Sequence, residues 1–290
     1  MKTLTQEQII KRGKFTLAFS RFLTSKMGYK PAKVGKERFV DSSYGKIRTL
    51  QYGFEDKGVK PCVFDLHGGG FILGDAEFDE PMNTQFYKEA GVKIVSIRYP
   101  KAPEYPFPIP LKAVYEVITT YVKNAASEGI DPKHIGIMGH SAGAALSTSI
   151  CMMAKGKSDF KLNFQILDYP PLDLFTDPAA KPQPKGALSP GMSRLFNMCY
   201  VKPEEAKDPL ASPVFASRDD LVGLPPALVI LAGGDSLHDE GAKYIEMLKD
   251  ANVPVESKDY PNVAHGFTLK PGPETTDACA LMSGYIKKHI

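Results

Sequence analysis

The segment Gly139–Gly143, of sequence Gly-His-Ser-Ala-Gly, constrains the local fold more than any other part of this chain. It follows residues 134–138, an apolar run that predicts a β-strand. Glycines two positions before and two positions after Ser141 allow a sharp turn into a helix, because larger side chains would collide with the neighbouring strand and helix. The pattern therefore predicts a strand, a tight turn and a helix, with the Ser141 hydroxyl exposed in a strained conformation at the turn.

A second glycine-rich turn, His67–Gly70, follows the apolar residues 63–66. Attack by a serine on a carbonyl group leaves a negatively charged oxygen, which hydrogen-bond donors must stabilise. Residues 68–70 are glycines, so no side chain prevents their backbone N–H groups from pointing at such an oxygen. The Gly-x-Ser-x-Gly pattern alone arises by chance, but together with an upstream His-Gly-Gly-Gly it favours a site for nucleophilic attack on carbonyl carbon.

Strands and helices alternate along most of the chain, which predicts the α/β fold class. Apolar strands joined by helical crossovers indicate a mostly parallel sheet with helices on both faces. Active sites of such sheets lie at the carboxyl ends of the strands, where both glycine motifs fall. The predicted strands are 37–41 and 46–54, joined as a hairpin through 42–45, then 61–66, 92–98, 134–138, 161–167, 227–231 and 255–260, and the predicted helices are 79–90, 109–124, 142–154, 239–251 and 275–289.

A nucleophilic serine needs a base and an acid that orients the base. Among the histidines, His265 follows the last predicted strand and stands between small residues that let an imidazole project from a loop. Asp235 follows the strand 227–231 after two glycines, and we predict it as the acid, with Asp239 as a supporting residue and alternative. The chain order Ser141, Asp235, His265 is that of α/β-hydrolases.

Over most of residues 60–270 the sequence resembles the hormone-sensitive-lipase-like branch of α/β-hydrolase esterases. The resemblance is carried by His-Gly-Gly-Gly-Phe at 67–71, Tyr-Pro-Lys-Ala-Pro-Glu at 99–104, Asp-Pro-Leu-Ala-Ser-Pro at 208–213, Asp-Ser-Leu-His-Asp-Glu-Gly at 235–241 and His-Gly-Phe at 265–267. It implies an α/β-hydrolase fold and hydrolysis of small carboxylic esters with short acyl chains, with no metal or organic cofactor.

The resemblance also implies a role for each site residue. Ser141 is expected to be the nucleophile, Asp235 the acid and His265 the base, so that a Ser-His-Asp triad forms an acyl-enzyme intermediate. The N–H groups of the oxyanion hole are then those of Gly69, Gly70 and Ala142.

The sequence departs from the family pattern at three positions. His140 stands where the family usually has Asp or Thr, Pro100 replaces an arginine, and Ser236 replaces a proline. None of these changes removes a reacting group. His140 is next to the nucleophile, so it could alter the local charge, the substrate preference and the pH optimum.

Two segments are expected to form a helical cap over the site within one domain of residues 1–290. The first is about 1–30, which carries apolar residues at helical spacing, and the second is about 172–205, which is proline-rich and then apolar. About 60 residues separate the predicted strands 161–167 and 227–231, which is too many for a simple crossover. The alternative is that this second segment is a passive surface excursion.

Composition limits the partners of the chain. A net charge of +3 with no cluster of Lys and Arg argues against nucleic-acid binding. The N-terminus lacks the apolar core of a signal peptide, and no stretch of 18 apolar residues occurs, so we expect a cytoplasmic protein that does not enter membranes. The four dispersed cysteines are expected to be reduced core residues. An exposed strand at 255–260 could pair two copies into a homodimer.

Two alternatives remain open for the function. An acyltransferase or amidase could use the same three residues, because the groups that form an acyl-enzyme do not dictate which acceptor resolves it. A ligand-binding receptor on a disabled hydrolase fold is the other alternative. Such a receptor typically lacks the base or the nucleophile, whereas this chain has both His265 and Ser141.

Overall fold

The computed structural model describes Lys11 and residues 32–290, in which eight strands form one sheet of order β1-β2-β4-β3-β5-β6-β7-β8. The predicted arm at residues 1–30 lies outside the described residues, apart from Lys11. The strands are β1 Lys36–Ser42, β2 Gly45–Tyr52, β3 Lys60–Leu66, β4 Lys93–Ile97, β5 Ile130–His140, β6 Phe164–Asp168, β7 Ala227–Gly234 and β8 Val255–Ala264.

The sheet is parallel except at its first edge, as predicted. Strands β1 and β2 form an antiparallel hairpin, and β2 pairs with β4 antiparallel. All other pairs, from β4 through β3, β5, β6 and β7 to β8, are parallel. The carboxyl ends of β3, β5, β6, β7 and β8 therefore meet along one edge of the sheet, which confirms the predicted α/β-hydrolase architecture.

The helices of the described residues lie between consecutive strands, except the last helix, which follows β8. They are α1 Glu80–Ala90, α2 Ile109–Lys123, α3 Ala125–Glu128, α4 Ala142–Ala154, α5 Pro190–Tyr200, α6 Arg218–Leu221, α7 His238–Asp250 and α8 Pro273–His289. None of the helices in this part of the chain is both long and apolar enough to span a membrane.

Strands β5 and β8 differ most in extent from the prediction. Strand β5 begins at Ile130 rather than at 134, because Ile130 pairs with Lys60 before an irregularity in the ladder, after which Cys62 pairs with Ile135. The polar residues 131–133 at that irregularity look like a loop in the sequence. Strand β8 extends to Ala264, which pairs with Gly234, so the strand runs to the residue before His265.

Each central strand contributes to two separate hydrophobic cores. Val63, Ile166 and Leu228 lie in the core that includes side chains of α1 and α8, whereas their neighbours Phe64, Leu167 and Val229 lie in the core of α2, α4 and α7. Since alternate residues of a strand point to opposite faces, burial on both faces requires the continuous apolar runs seen in the sequence. The four cysteines are buried with free thiols, as expected.

Helix α4 approaches strand β3 so closely that the contact has no room for a side chain. A Cβ atom added to Gly143 would lie 1.8 Å from the Leu66 carbonyl oxygen, and one added to Gly139 would lie 2.3 Å from the backbone of Gly143. The two glycines of the serine motif are therefore required by backbone packing.

Replacing Gly143 with alanine should destabilise the fold strongly, because the backbone of β3 or α4 must move to admit the methyl group. We expect a loss of at least about 2 kcal/mol in the free energy of unfolding, measured by urea denaturation. Gly284→Ala is the matched control: Gly284 lies in α8 with no atom within 4 Å of the added Cβ, so the same substitution should gain about 0.5–1 kcal/mol. Similar effects at both positions would contradict this account of the packing.

Candidate active site

Ser141 occupies the turn between β5 and α4 in a conformation that side chains rarely adopt. Its φ is +52° and its ψ is −121°, outside the usual regions for a residue other than glycine. The Ser141 N–H donates to the Asp168 carbonyl oxygen at 2.8 Å, which fixes the turn against the end of β6. Such strain persists only where the surroundings determine the conformation, and it is typical of functional sites.

The three residues predicted as nucleophile, base and acid are joined by two hydrogen bonds. The Ser141 Oγ is 2.8 Å from Nε2 of His265, and Nδ1 of His265 is 2.6 Å from Oδ2 of Asp235. His265 directly follows β8, and Asp235 directly follows β7. The side chain of Asp235 is almost fully buried, with 1% exposed. This geometry allows His265 to accept the serine proton while Asp235 orients the imidazole.

Asp239, the alternative acid, lies apart from this arrangement. It stands in the first turn of α7, where its carboxylate contacts Nδ1 of His238 at 3.1 Å. The Asp239 side chain is 71% exposed, and the other ring nitrogen of His238 contacts Asp259. These contacts place Asp239 in a surface cluster, whereas Asp235 contacts His265.

The predicted oxyanion donors come from the glycine loop after β3 and from the first residue of α4. Gly69 and Gly70 have φ values of +123° and +59°, in the region that favours glycine, and both line one cavity with Ser141 and His265. The Gly69 carbonyl accepts hydrogen bonds from the N–H groups of Ile72 and Leu73. Ala142 is the first residue of α4, so its N–H has no partner within the helix.

His67 supports the glycine loop through both its side chain and its main chain. Its Nδ1 is 2.7 Å from the Gly68 carbonyl oxygen, and its ring stacks on Tyr99 at 4.3 Å between centroids. The Tyr99 hydroxyl donates to the His67 carbonyl oxygen. Burial lowers the pKa of His67 to about 3, so the ring is neutral and its Nδ1–H donates to Gly68.

A cavity of about 340 Å³ opens above Ser141. Its walls are mainly apolar, and α5 contributes to them from the segment predicted as part of the cap. A Cβ atom on Gly70 would lie 2.4 Å from the ring of Phe196, so this ring packs directly against the glycine loop. Residues from the cap segment and the neighbouring loops that line the cavity are Phe78, Pro171, Leu188, Ser193, Phe196, Asn197, Leu237 and Leu269.

A buried carboxylate anchors the beginning of this segment. Glu240 of α7 accepts hydrogen bonds at Oε1 from the N–H groups of Leu172 and Asp173, at 2.6 and 3.2 Å, and its Oε2 pairs with Lys181. Burial raises the pKa of Glu240 to about 7. Glu240 belongs to the Asp-Glu-Gly sequence after Asp235, so the motif also holds the chain that borders the cavity.

Behind Ser141 lies a fully buried charged cluster that the sequence analysis did not find. His140 Nδ1 is 2.8 Å from Oδ2 of Asp168, and its Nε2 is 3.8 Å from Oδ1 of Asp65. Asp79 adds a third buried carboxyl group, and burial raises its pKa to about 8, so it is mostly protonated at neutral pH. Burial acts to lower the pKa of His140, but the carboxylates of Asp79, Asp168 and Asp65 outweigh it and raise this pKa to about 10. His140 is therefore an imidazolium at neutral pH.

A sequence signal for this cluster exists, because Asp65 lies within the apolar run 63–66 and Asp168 directly follows the strand predicted at 161–167. Asp65, Asp79 and His140 are also the described residues that could hold a metal ion, with donor atoms within 4.8 Å of one another. The 3.8 Å between His140 and Asp65 exceeds the separation of roughly 3.4 Å that two ligands of one tetrahedral zinc ion would have.

The sheet order, the strained serine turn and its position at the carboxyl edge of the sheet define an α/β-hydrolase. The family described as alpha/beta hydrolase fold matches residues 63–269, and the chain belongs to this family.

Known relatives agree with this assignment and confirm the resemblance stated above. The chain is 29% identical over 248 residues to esterase LipI of Mycobacterium tuberculosis, covering 82% of this chain and 77% of the relative. It is 33% identical over 215 residues to carboxylesterase NlhH of the same species, covering 71% and 66%. A hyperthermophilic esterase from the archaeon Pyrobaculum calidifontis superposes with a TM-score of 0.80 at 29% identity, covering 96% of this chain and 93% of the other.

Raising the pH above neutrality should destabilise the protein through His140. Its pKa of about 10 lies above its ordinary 6.5, so the native state keeps a proton that the unfolded state has lost. This contribution to stability decreases as the pH rises from about 6.5 through about 10. We expect the free energy of unfolding, measured in urea, to fall between pH 7 and pH 10, and to fall less in His140→Asn. Equal pH dependence in the two proteins would contradict the charge assigned to His140.

Proposed function

We propose that the protein is a serine carboxylesterase that hydrolyses small, short-acyl carboxylic esters through Ser141, His265 and Asp235. The observation that carries this proposal is the continuous hydrogen-bonded chain from Ser141 Oγ through His265 to Asp235, which begins at the floor of an apolar cavity. The family relatives named esterase and carboxylesterase support the same class of reaction.

The first half of the reaction forms an acyl-enzyme. The ester carbonyl carbon lies next to Ser141 Oγ, and His265 Nε2 takes the serine proton as the new C–O bond forms. Asp235 stabilises the imidazolium through the 2.6 Å contact at Nδ1. The carbonyl oxygen becomes negative and accepts hydrogen bonds from the N–H groups of Gly69, Gly70 and Ala142, each such donor being worth roughly 10²–10³-fold in rate.

The second half releases the acid. The alcohol leaves with the proton held by His265, which makes the imidazole a base again. A water molecule gives a proton to His265 and attacks the acyl carbon, and collapse of the second tetrahedral intermediate returns that proton to Ser141. Every proton transfer uses Nε2 of His265, so the reaction requires only Ser141, His265 and Asp235, which are already in contact.

The cavity supports the choice of a small substrate. Its volume of about 340 Å³ is near the lower end of the range for small-molecule sites. Residues 172–205 act as a cap in this proposal, because Phe196 of α5 closes one wall over the glycine loop. Apolar walls suit a short acyl or alkyl group, and a long acyl chain would have to displace this ring.

Ser141→Ala should abolish ester hydrolysis while the protein stays folded, with a loss on the order of 10⁶-fold in kcat. The assay is hydrolysis of p-nitrophenyl esters of increasing acyl length. The wild type is expected to hydrolyse the acetate and butyrate esters faster than the decanoate ester. A fluorophosphonate probe should form its adduct at Ser141 and at no other serine. Near-normal activity in a folded Ser141→Ala protein would refute the nucleophile assignment.

Asp235→Asn should lower kcat by about 10⁴-fold, because an amide favours the wrong tautomer of His265. Asp239→Asn is the matched control from the same segment and should change kcat/KM by no more than about threefold, since Asp239 is exposed and contacts His238. Steady-state kinetics on the acetate ester measures both. If Asp239→Asn proved the more damaging change, the acid would be misassigned.

A further inference from the structure

His140 and Asp168 link the ends of β5 and β6 beside the nucleophile. His140 is the last residue of β5, and its Nδ1–H donates to Oδ2 of Asp168, the last residue of β6, at 2.8 Å. The main chain of Asp168 accepts from the Ser141 N–H. Asp168 thus holds both His140 and Ser141, one through its side chain and the other through its backbone.

The same carboxylate oxygen also holds the loop that carries the base. Thr268, which lies three residues after His265, donates its hydroxyl hydrogen to Oδ2 of Asp168 at 2.7 Å. A threonine hydroxyl has a single hydrogen, so the Tyr169 hydroxyl must be the donor in its 2.6 Å contact with Thr268. His140, Asp168, Tyr169 and Thr268 are all buried.

Tyr169 completes the link to the base. Its ring packs edge-on against the His265 ring, with 4.9 Å between centroids and 66° between planes. Tyr169 has a φ of +40°, a strained value for a residue with a side chain. The Tyr169–Thr268 and Thr268–Asp168 hydrogen bonds fix this ring where it limits the tilt of the imidazole.

We propose that His140, Asp168, Tyr169 and Thr268 form a positioning network that sets the distance and angle between Ser141 Oγ and His265 Nε2, with His140 as its anchor on the nucleophile strand. None of the four side chains takes a proton in the reaction. The inference rests on the proposed function. It assigns a role to His140, which replaces the residue types expected at this position.

The cost of losing this network follows from the reaction geometry. Proton transfer requires a donor–acceptor distance of about 2.6–3.2 Å, and the observed 2.8 Å lies within that range. A displacement of about 1 Å between reacting groups can lower the rate by roughly 10²-fold. Thr268 itself does not line the cavity, so loss of its two hydrogen bonds should lower kcat more than it changes KM.

Thr268→Val tests the network with almost no change of shape. We expect kcat for the acetate ester to fall at least about 10-fold, with KM within about twofold of the wild type. Thr49→Val is the matched control, because Thr49 is also a buried threonine that bonds a tyrosine hydroxyl, Tyr121, and donates to a second acceptor, the Arg38 carbonyl. It lies in β2 and should lower thermal stability with kcat unchanged.

Variants at His140 test the anchor. His140→Asn keeps an N–H donor close to the position of Nδ1, whereas His140→Leu removes it, so Asn should retain more of kcat than Leu. Because both changes act on one carboxylate, the losses in the double variant His140→Leu/Thr268→Val should be smaller than the product of the single losses. If His140→Leu does not fold, the comparison of Thr268→Val with Thr49→Val still tests the positioning network.

The outcomes separate this inference from the proposed function. An active wild type in which Thr268→Val behaves like Thr49→Val, losing stability but not kcat, overturns the network and leaves the esterase proposal standing. Multiplicative losses in the double variant also overturn it. A folded wild type that neither hydrolyses the esters nor reacts with fluorophosphonate overturns both.

Discussion

The contact between the first turn of α4 and the end of β3 fixes the geometry on which the rest of the site depends. Gly143 lies so close to the Leu66 carbonyl that a Cβ atom would be 1.8 Å from it. This approach forces the chain through the strained conformation at Ser141 and brings the serine beside the glycine loop that follows Leu66. The strain is offset by the hydrogen bond from Ser141 N–H to Asp168 and by burial of α4 against both β5 and β6.

The parts of the site that the sequence predicts are those encoded within a few consecutive residues. Gly139, Gly143 and residues 68–70 are required by local backbone geometry. Asp235 directly follows the apolar strand β7, and His265 stands between two small residues after the polar edge strand β8. The buried cluster of His140 is a different kind of feature. Its members come from β3, β5, β6 and the residue before α1, and they meet only because β3, β5 and β6 are adjacent in the sheet. The order of the strands along the chain does not show which strands are adjacent in the sheet. The charged residues of this cluster therefore could not be paired from the sequence.

The fold shows the same division between local and long-range information. The apolar runs predict the central strands β3 to β7 because burial on both faces demands them, whereas the edge strands β1 and β8 are largely exposed. The early start of β5 was not predictable, since residues 131–133 have a loop-like sequence and join the sheet only through the pairing of Ile130 with Lys60. The cavity wall formed by Phe196 likewise depends on how α5 packs against Gly70, which no motif encodes.

The two histidines next to the glycine turns are held in opposite charge states. His67 is neutral, with a pKa of about 3, and His140 is an imidazolium, with a pKa of about 10. Between about pH 4 and pH 9 neither ring changes its charge, so the electrostatic field that they impose on Ser141 stays constant over this range. An ionisation that affects the rate near neutral pH therefore comes from another group, and two buried carboxyl groups near the site, Asp79 and Glu240, have pKa values raised by burial to about 8 and about 7.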